Sequence, residues 1–170
     1  MKPVAKRATP AAIAVLRQAT ALVPKRSKVS DGLLPSKAHI KASPNSDHIT
    51  GLAVDLTHDP HNGIDCGDIY EKLKADKRVS YLIFSGRIWS KERGDRVYSG
   101  PNKHVKHLHI SIKEDCANDT SPWFPWLDKP KWNTVDAARL AYAKVQKKPK
   151  KKARKSKEEK SSKEIKVKKK

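Results

Sequence analysis

The stretch His107-Leu108-His109-Ile110-Ser111-Ile112 decides how this chain folds. Side chains alternate between the two faces of a strand, so Leu108, Ile110 and Ile112 enter a core together. His107, His109 and Ser111 then stand side by side on the opposite face, and two imidazoles two residues apart on a pleated strand reach one small volume. Leu52-Ala53-Val54-Asp55-Leu56 has the same period of two, with Leu52, Val54 and Leu56 on one face and Asp55 beside small Ala53 on the other. Gly51 lets the chain bend so that His48 swings back toward Asp55. Two strands, each polar on one face, thus line a single cleft.

Outward from these strands the other elements fall into place. Thr9-Pro10 reads as an N-cap and first helical position, followed by an apolar face of Ala12, Val15, Leu16, Ala19 and Val23 that ends at Pro24. Residues 25–47 are rich in Ser, Lys, Gly and Pro and read as a long loop. Asp59-Pro60-His61-Asn62-Gly63 is a turn cluster, and Ile69, Tyr70 and Leu73 suit a short helix within 65–76. Residues 79–85 form a β-prone apolar strand, 87–90 return from it as a hairpin arm, and Val97-Tyr98 is a further extended piece. Thr134 caps a last helix carrying Val135, Ala138, Tyr142 and Val145 on one face. This order predicts an α+β fold with a small, mostly antiparallel sheet flanked by helices.

The formal charge of +20 over 170 residues is unevenly placed. From 147 to 170 there are 14 Lys/Arg against three Glu, a net +11, and only Ile165 and Val167 as sizeable apolar residues. Such a segment buries too little surface to offset ordering entropy and is expected to be disordered in isolation. The chain therefore divides into a domain over 1–146 and a lysine-rich tail over 147–170. The tail's charge is expected to attract anionic cell-envelope polymers or nucleic acid. The domain, itself still basic, favours anionic partners such as cell-wall polymer, lipopolysaccharide, a membrane surface or nucleic acid. No apolar run approaches the roughly 20 residues of a membrane span, and no secretory signal is visible. Cys66 and Cys116 are too few for a disulfide framework, and spacing leaves open whether they pair.

Taken singly, each histidine is more often a solvated or core residue than a ligand, and His-x-His alone is a weak signal. The block Ser46-x-His48-x-x-Gly51-x-Ala53-x-Asp55 is more demanding, and it is followed by His104-x-x-His107-x-His109 on a second strand. Together they supply a carboxylate and several imidazoles suited to zinc with one coordination position left open. His58 and His61, in the turn after Asp55, read as solvated loop residues. Trp123-Phe124-Pro125-Trp126, with Trp132, reads as a lid on the core, and Trp89 as a core residue.

The first block resembles the signature of zinc D-alanyl-D-alanine carboxypeptidases and dipeptidases and of phage L-alanyl-D-glutamate endopeptidases. The second is similar to the His-x-x-His-x-His segment of penicillin-insensitive murein endopeptidases, in a superfamily that includes lysostaphin-type enzymes. The likeness covers roughly residues 27–113. It implies a hedgehog/DD-peptidase-like fold and a single Zn²⁺ held by His48, Asp55 and His109. The implied activity is that of a zinc metallopeptidase cleaving peptide bonds of peptidoglycan, by carboxypeptidase or endopeptidase action. An enzyme without a signal peptide would be made in the cytoplasm and act at the cell wall after release, as a phage endolysin does. The carboxypeptidase branch carries Glu or Asp three residues before its final histidine as general base; here that position is Lys106. The other branches use a histidine two residues before the ligand, which is His107, with His104 as a second candidate. An alternative register makes His107 the ligand. Ser46 is expected to orient a ligand, and Arg26, Lys28 or Lys37 to supply a cation to the developing oxyanion. Two other functions fit the composition: a nucleic-acid-binding protein or nuclease, motivated by the charge and the clustered histidines, and a metal-binding interaction module without turnover.

Overall fold

A computed structural model describes residues 3–127. Helix α1 spans Pro10–Leu22: the Thr9 side chain accepts the Ala12 N–H and proline sits in the first turn, where its missing donor costs nothing. The face of α1 carrying Ala11, Ala12, Val15 and Ala19 is buried against the sheet. Within the 25–47 segment lies a six-residue helix, α2 (Lys37–Ala42), capped by Ser36. It buries no residue, so it leaves no apolar periodicity in the sequence, and the expectation of continuous loop is corrected here.

The remaining elements are β1 (Ala53–Thr57), α3 (Cys66–Leu73), β2 (Val79–Phe84), β3 (Arg87–Ser90), β4 (Gly94–Val97) and β5 (His107–Ile112). Short 3-10 turns occupy Pro60–Asn62 and Glu114–Cys116. The strands form one antiparallel sheet in the order β1-β5-β2-β3-β4. The expected small antiparallel sheet with helices is therefore present, with β5 near its centre.

One face of the sheet carries the core. Val54, Leu56, Leu82, Leu108, Ile110 and Ile112 lie there with α1 and α3 and are essentially inaccessible to water. Truncating a fully buried leucine such as Leu108 to alanine costs about 2–5 kcal/mol. A register shift between Val79 and Tyr81 lets Val79 and Leu82 share this face although three positions separate them. Trp123 and Phe124 are buried in the same core, and the Arg78 guanidinium lies 3.7 Å from the Trp123 ring centre. Trp89 and Trp126 pack against it partly buried. Trp132, the helix expected from Thr134 and the 147–170 tail lie outside the described residues.

Cys66 and Cys116 are unpaired. Cys66 is buried, its thiol donates to the Leu56 carbonyl oxygen, and burial pushes its pKa up to about 12. Among the described residues no helix is long and apolar enough to cross a membrane.

Candidate metal centre

The second face of the sheet is polar because of its register. Asp55 on β1 is the direct cross-strand partner of His109 on β5, Thr57 that of His107, and Ala53 that of Ser111. Ile83 on β2 flanks His109 from the other side and Tyr81 pairs with Ser111. Antiparallel partners project to the same face, so pairing alone brings the carboxylate and the imidazole together.

His48 arrives from outside the sheet, on a turn closed by the Ser46 carbonyl accepting from Ile49 and the His48 carbonyl accepting from Gly51. Gly51 has a φ of +73°, and a Cβ there would meet the Arg7 carbonyl oxygen at 2.8 Å. The position demands both left-handed backbone and close approach, so glycine is required. The Ser46 hydroxyl accepts the His48 backbone N–H at 3.4 Å. This contact of Ser46 is to the His48 main chain and not to its ring.

The three candidate ligands converge. His48 Nε2 lies 3.2 Å from Asp55 Oδ1 and 3.2 Å from His109 Nδ1, and His109 Nδ1 lies 3.1 Å from Asp55 Oδ1. A tetrahedral zinc site with bonds of about 2.0–2.1 Å has ligand–ligand edges of about 3.3 Å. The donor chemistry fits as well. The Leu33 carbonyl oxygen accepts from His48 Nδ1 at 2.9 Å, which assigns the proton to Nδ1 and turns the Nε2 lone pair toward Asp55. His109 Nε2 is buried without a hydrogen-bond partner, so in the neutral ring carrying its proton there, Nδ1 faces the other two donors as a lone pair. Three lone pairs at such distances repel one another unless a cation or a shared proton lies between them.

Without an ion the electrostatics correspond to the second case, a proton held between imidazole and carboxylate. Burial works against the Asp55 carboxylate, but hydrogen bonds and charge from His109 and His48 outweigh it and hold its pKa far below the usual carboxylate range. Burial also opposes protonation of His48, yet the hydrogen bond and charge of Asp55 carry its pKa above the ordinary value.

Beside the triangle stand the other two histidines of the second block. His107 Nε2 is 3.7 Å from Asp55 Oδ1. Burial, with the charges of His109 and His48, lowers its pKa. His104 sits at φ +53°, a left-handed conformation that costs a non-glycine residue about 1–2 kcal/mol. It is held there by Asn102, whose side-chain oxygen accepts the His104 backbone N–H and whose carbonyl oxygen accepts from His104 Nδ1 at 2.7 Å. The ring packs edge-on against His107, 4.9 Å between centres. Burial and the neighbouring His109 and His107 push its pKa down to about 4. This favours the uncharged ring at neutral pH, and among the described residues its Nε2 has no hydrogen-bond partner.

The group of donors close enough together to hold a metal ion is His48, Asp55 and His109, with His107 beside it. The three cations expected from the 25–41 segment are placed elsewhere. Arg26 is buried and forms a bidentate pair with Asp31, at 2.9 and 2.6 Å, that locks the loop onto Thr57. Lys28 and Lys37 are exposed and do not line the cleft. His58 is committed to accepting the Cys66 backbone N–H, and His61 is exposed.

Three residues of the site escaped the sequence reading. Tyr81 stacks on His109 with ring centres 5.5 Å apart. His39, on α2, packs edge-on against His48 at 5.6 Å. Tyr98 closes on His104 at the same distance. Tyr81 was legible only as a strand residue, because the register shift before it decides which face it joins. Together with His104 and His107 they wall a cavity of about 510 Å³ over the triangle.

Comparison of the chain with models of protein families, with curated proteins and with solved structures gave no match.

Proposed function

We propose that this chain is a zinc-dependent peptidase acting on the stem peptides or cross-links of peptidoglycan. The observation that carries the proposal is the His48–Asp55–His109 donor triangle, with edges of 3.1–3.2 Å, opening into a cleft walled by His104 and His107. The spacing of both sequence blocks, similar to that of wall peptidases, supports the substrate class. So does the basic surplus of the domain, since its partner polymer is anionic.

His48, Asp55 and His109 would hold the ion. A zinc ion with one open position lowers the pKa of a coordinated water toward 7 and polarises a carbonyl. The residues around it divide the remaining work. The Leu33 carbonyl fixes the tautomer of His48, and Tyr81 stacking fixes the plane of His109. His107, with Nε2 facing Asp55 at the open side, takes up a proton and returns it to the leaving amine. Neutral His104 buttresses the His107 ring and offers a second acceptor to the same cleft.

The test uses the full chain, its bound metal measured by elemental analysis and purified wall fragments analysed by mass spectrometry after digestion. The expected result is one zinc per chain and new peptide termini, both lost on chelation and in His109→Ala. Zinc uptake without release of any peptide would instead favour a metal-binding module. Absence of metal uptake would remove the basis of the proposal.

A further inference from the structure

A second cavity, of about 440 Å³, lies beside the first and shares Asp55, Asn102 and His107 with it. The two cavities meet at Asp55, so a chain bound over the donor triangle can extend into the second. The second cavity is walled by the 30–32 loop on one side and by Val105 and Lys106 on the other. Its two carboxylates are already engaged. Asp31 is held by Arg26 and by the Thr57 hydroxyl, and Asp55 belongs to the donor triangle.

Lys106 is different. Its backbone is fixed, because the Lys106 carbonyl accepts the His58 N–H at 2.9 Å. Its ammonium makes no ion pair among the described residues, and Lys106 is an exposed residue that lines the cavity next to His107. It also occupies the position where the carboxypeptidase pattern has an acid. An ammonium has three donors and no lone pair, so it contributes nothing as a base. It does contribute a fixed positive charge one residue from the proposed proton acceptor.

Resting on the peptidase reading above, we infer that Lys106 is a specificity-determining residue that binds a substrate carboxylate in this second cavity. Two sources share that chemistry: the C-terminal α-carboxylate of the peptide, or an acidic group within it. The first makes the cavity the terminal pocket of a carboxypeptidase, the second an internal subsite of an endopeptidase.

The experiment measures calorimetric binding of wall-derived stem peptides to the full-length chain and to Lys106→Met, with and without zinc. Three peptides are compared: one with all carboxylates free, one amidated only at its C-terminus, and one amidated only at its internal acidic group. Lys91→Met, in the exposed turn between β3 and β4, controls for loss of bulk charge. The expected result is about tenfold weaker binding of the free-carboxylate peptide to Lys106→Met, with one of the two amidations costing the native chain the same factor. The amidation that does so identifies the source. Equal binding of the three peptides, no binding at all, or an equal loss in Lys91→Met overturns the inference. Cleavage is followed in parallel. Turnover without carboxylate preference leaves the peptidase standing and removes Lys106 from it, whereas Lys106-dependent binding without turnover does the reverse.

Discussion

Gly32 lies against Asp55 so closely that a Cβ on it would come within 2.9 Å of Asp55 Oδ2. The same two residues exchange both backbone hydrogen bonds, Gly32 N–H to Asp55 O at 3.1 Å and Asp55 N–H to Gly32 O at 2.8 Å. The loop therefore covers the open edge of β1 and at the same time sets the position of the carboxylate. Gly32→Ala is expected to displace the carboxylate from the donor triangle and weaken zinc binding about 10–100-fold, the usual range for disturbing a ligand's support. A competition titration with a chromogenic chelator measures it. Native affinity in a folded Gly32→Ala protein would show that the carboxylate is not positioned by this contact.

His109 and His107 are expected to separate under substitution. His109→Ala should lose the ion and all activity together. His107→Ala should retain stoichiometric zinc while kcat falls about 10²–10⁴-fold, the range for removing a general acid–base group. Parallel metal analysis and kinetics on wall fragments make the comparison. A His107→Ala protein that loses its zinc would move His107 into the ligand set.

Zinc binding should be proton-linked. A ligand imidazole must be neutral to bind, and Asp55 holds the pKa of His48 above 6.5 in the metal-free protein. Affinity is therefore expected to fall as pH drops through and below that raised value, by up to about tenfold per unit for one displaced proton, and to level off above it. Calorimetry in buffers of different ionisation enthalpy counts the protons released. Release of none near pH 6.5 would contradict the assignment of His48 as a ligand.

The Arg26–Asp31 pair is expected to matter for stability and not for chemistry. Burial alone would raise the pKa of Asp31, but its hydrogen bonds and ion pair with Arg26 and its bonds from Thr57 bring it below the ordinary value. A depressed carboxylate stabilises the fold fully above its unfolded pKa near 3.9, and that contribution fades as pH falls through the lower folded value. Asp31→Asn leaves the Arg26 guanidinium buried without its partner and should cost about 3–5 kcal/mol, with a shallower loss of stability below pH 4. Chemical denaturation of the chelator-treated protein across that range, where zinc binding does not contribute, tests both statements. An unchanged midpoint would mean that the loop is anchored by other contacts.

Much of the sheet was written in local pattern. The alternation over residues 52–56 and 107–112 assigns Leu56 and Ile110 to the core and Asp55 and His109 to the other face, because strand side chains alternate whatever their neighbours. The Thr9-Pro10 cap placed the start of α1 for an equally local reason. Helix α2 was illegible because it buries nothing, and hydrophobic periodicity is the only local record of a buried face.

What the sequence determined by itself is therefore the set of donors and the faces they occupy. Which donors meet was decided in three dimensions. Register sets Asp55 opposite His109 and leaves His107 3.7 Å from the carboxylate. A register shift admits Tyr81 to the same face, and the Leu33 carbonyl turns the His48 ring. Arg26 carries the same lesson in reverse: as a charge in a loop it promised a cation for the cleft, and the fold spends that charge on Asp31 instead. Pairing, register and burial are relations between residues distant along the chain, so no window of sequence contains them.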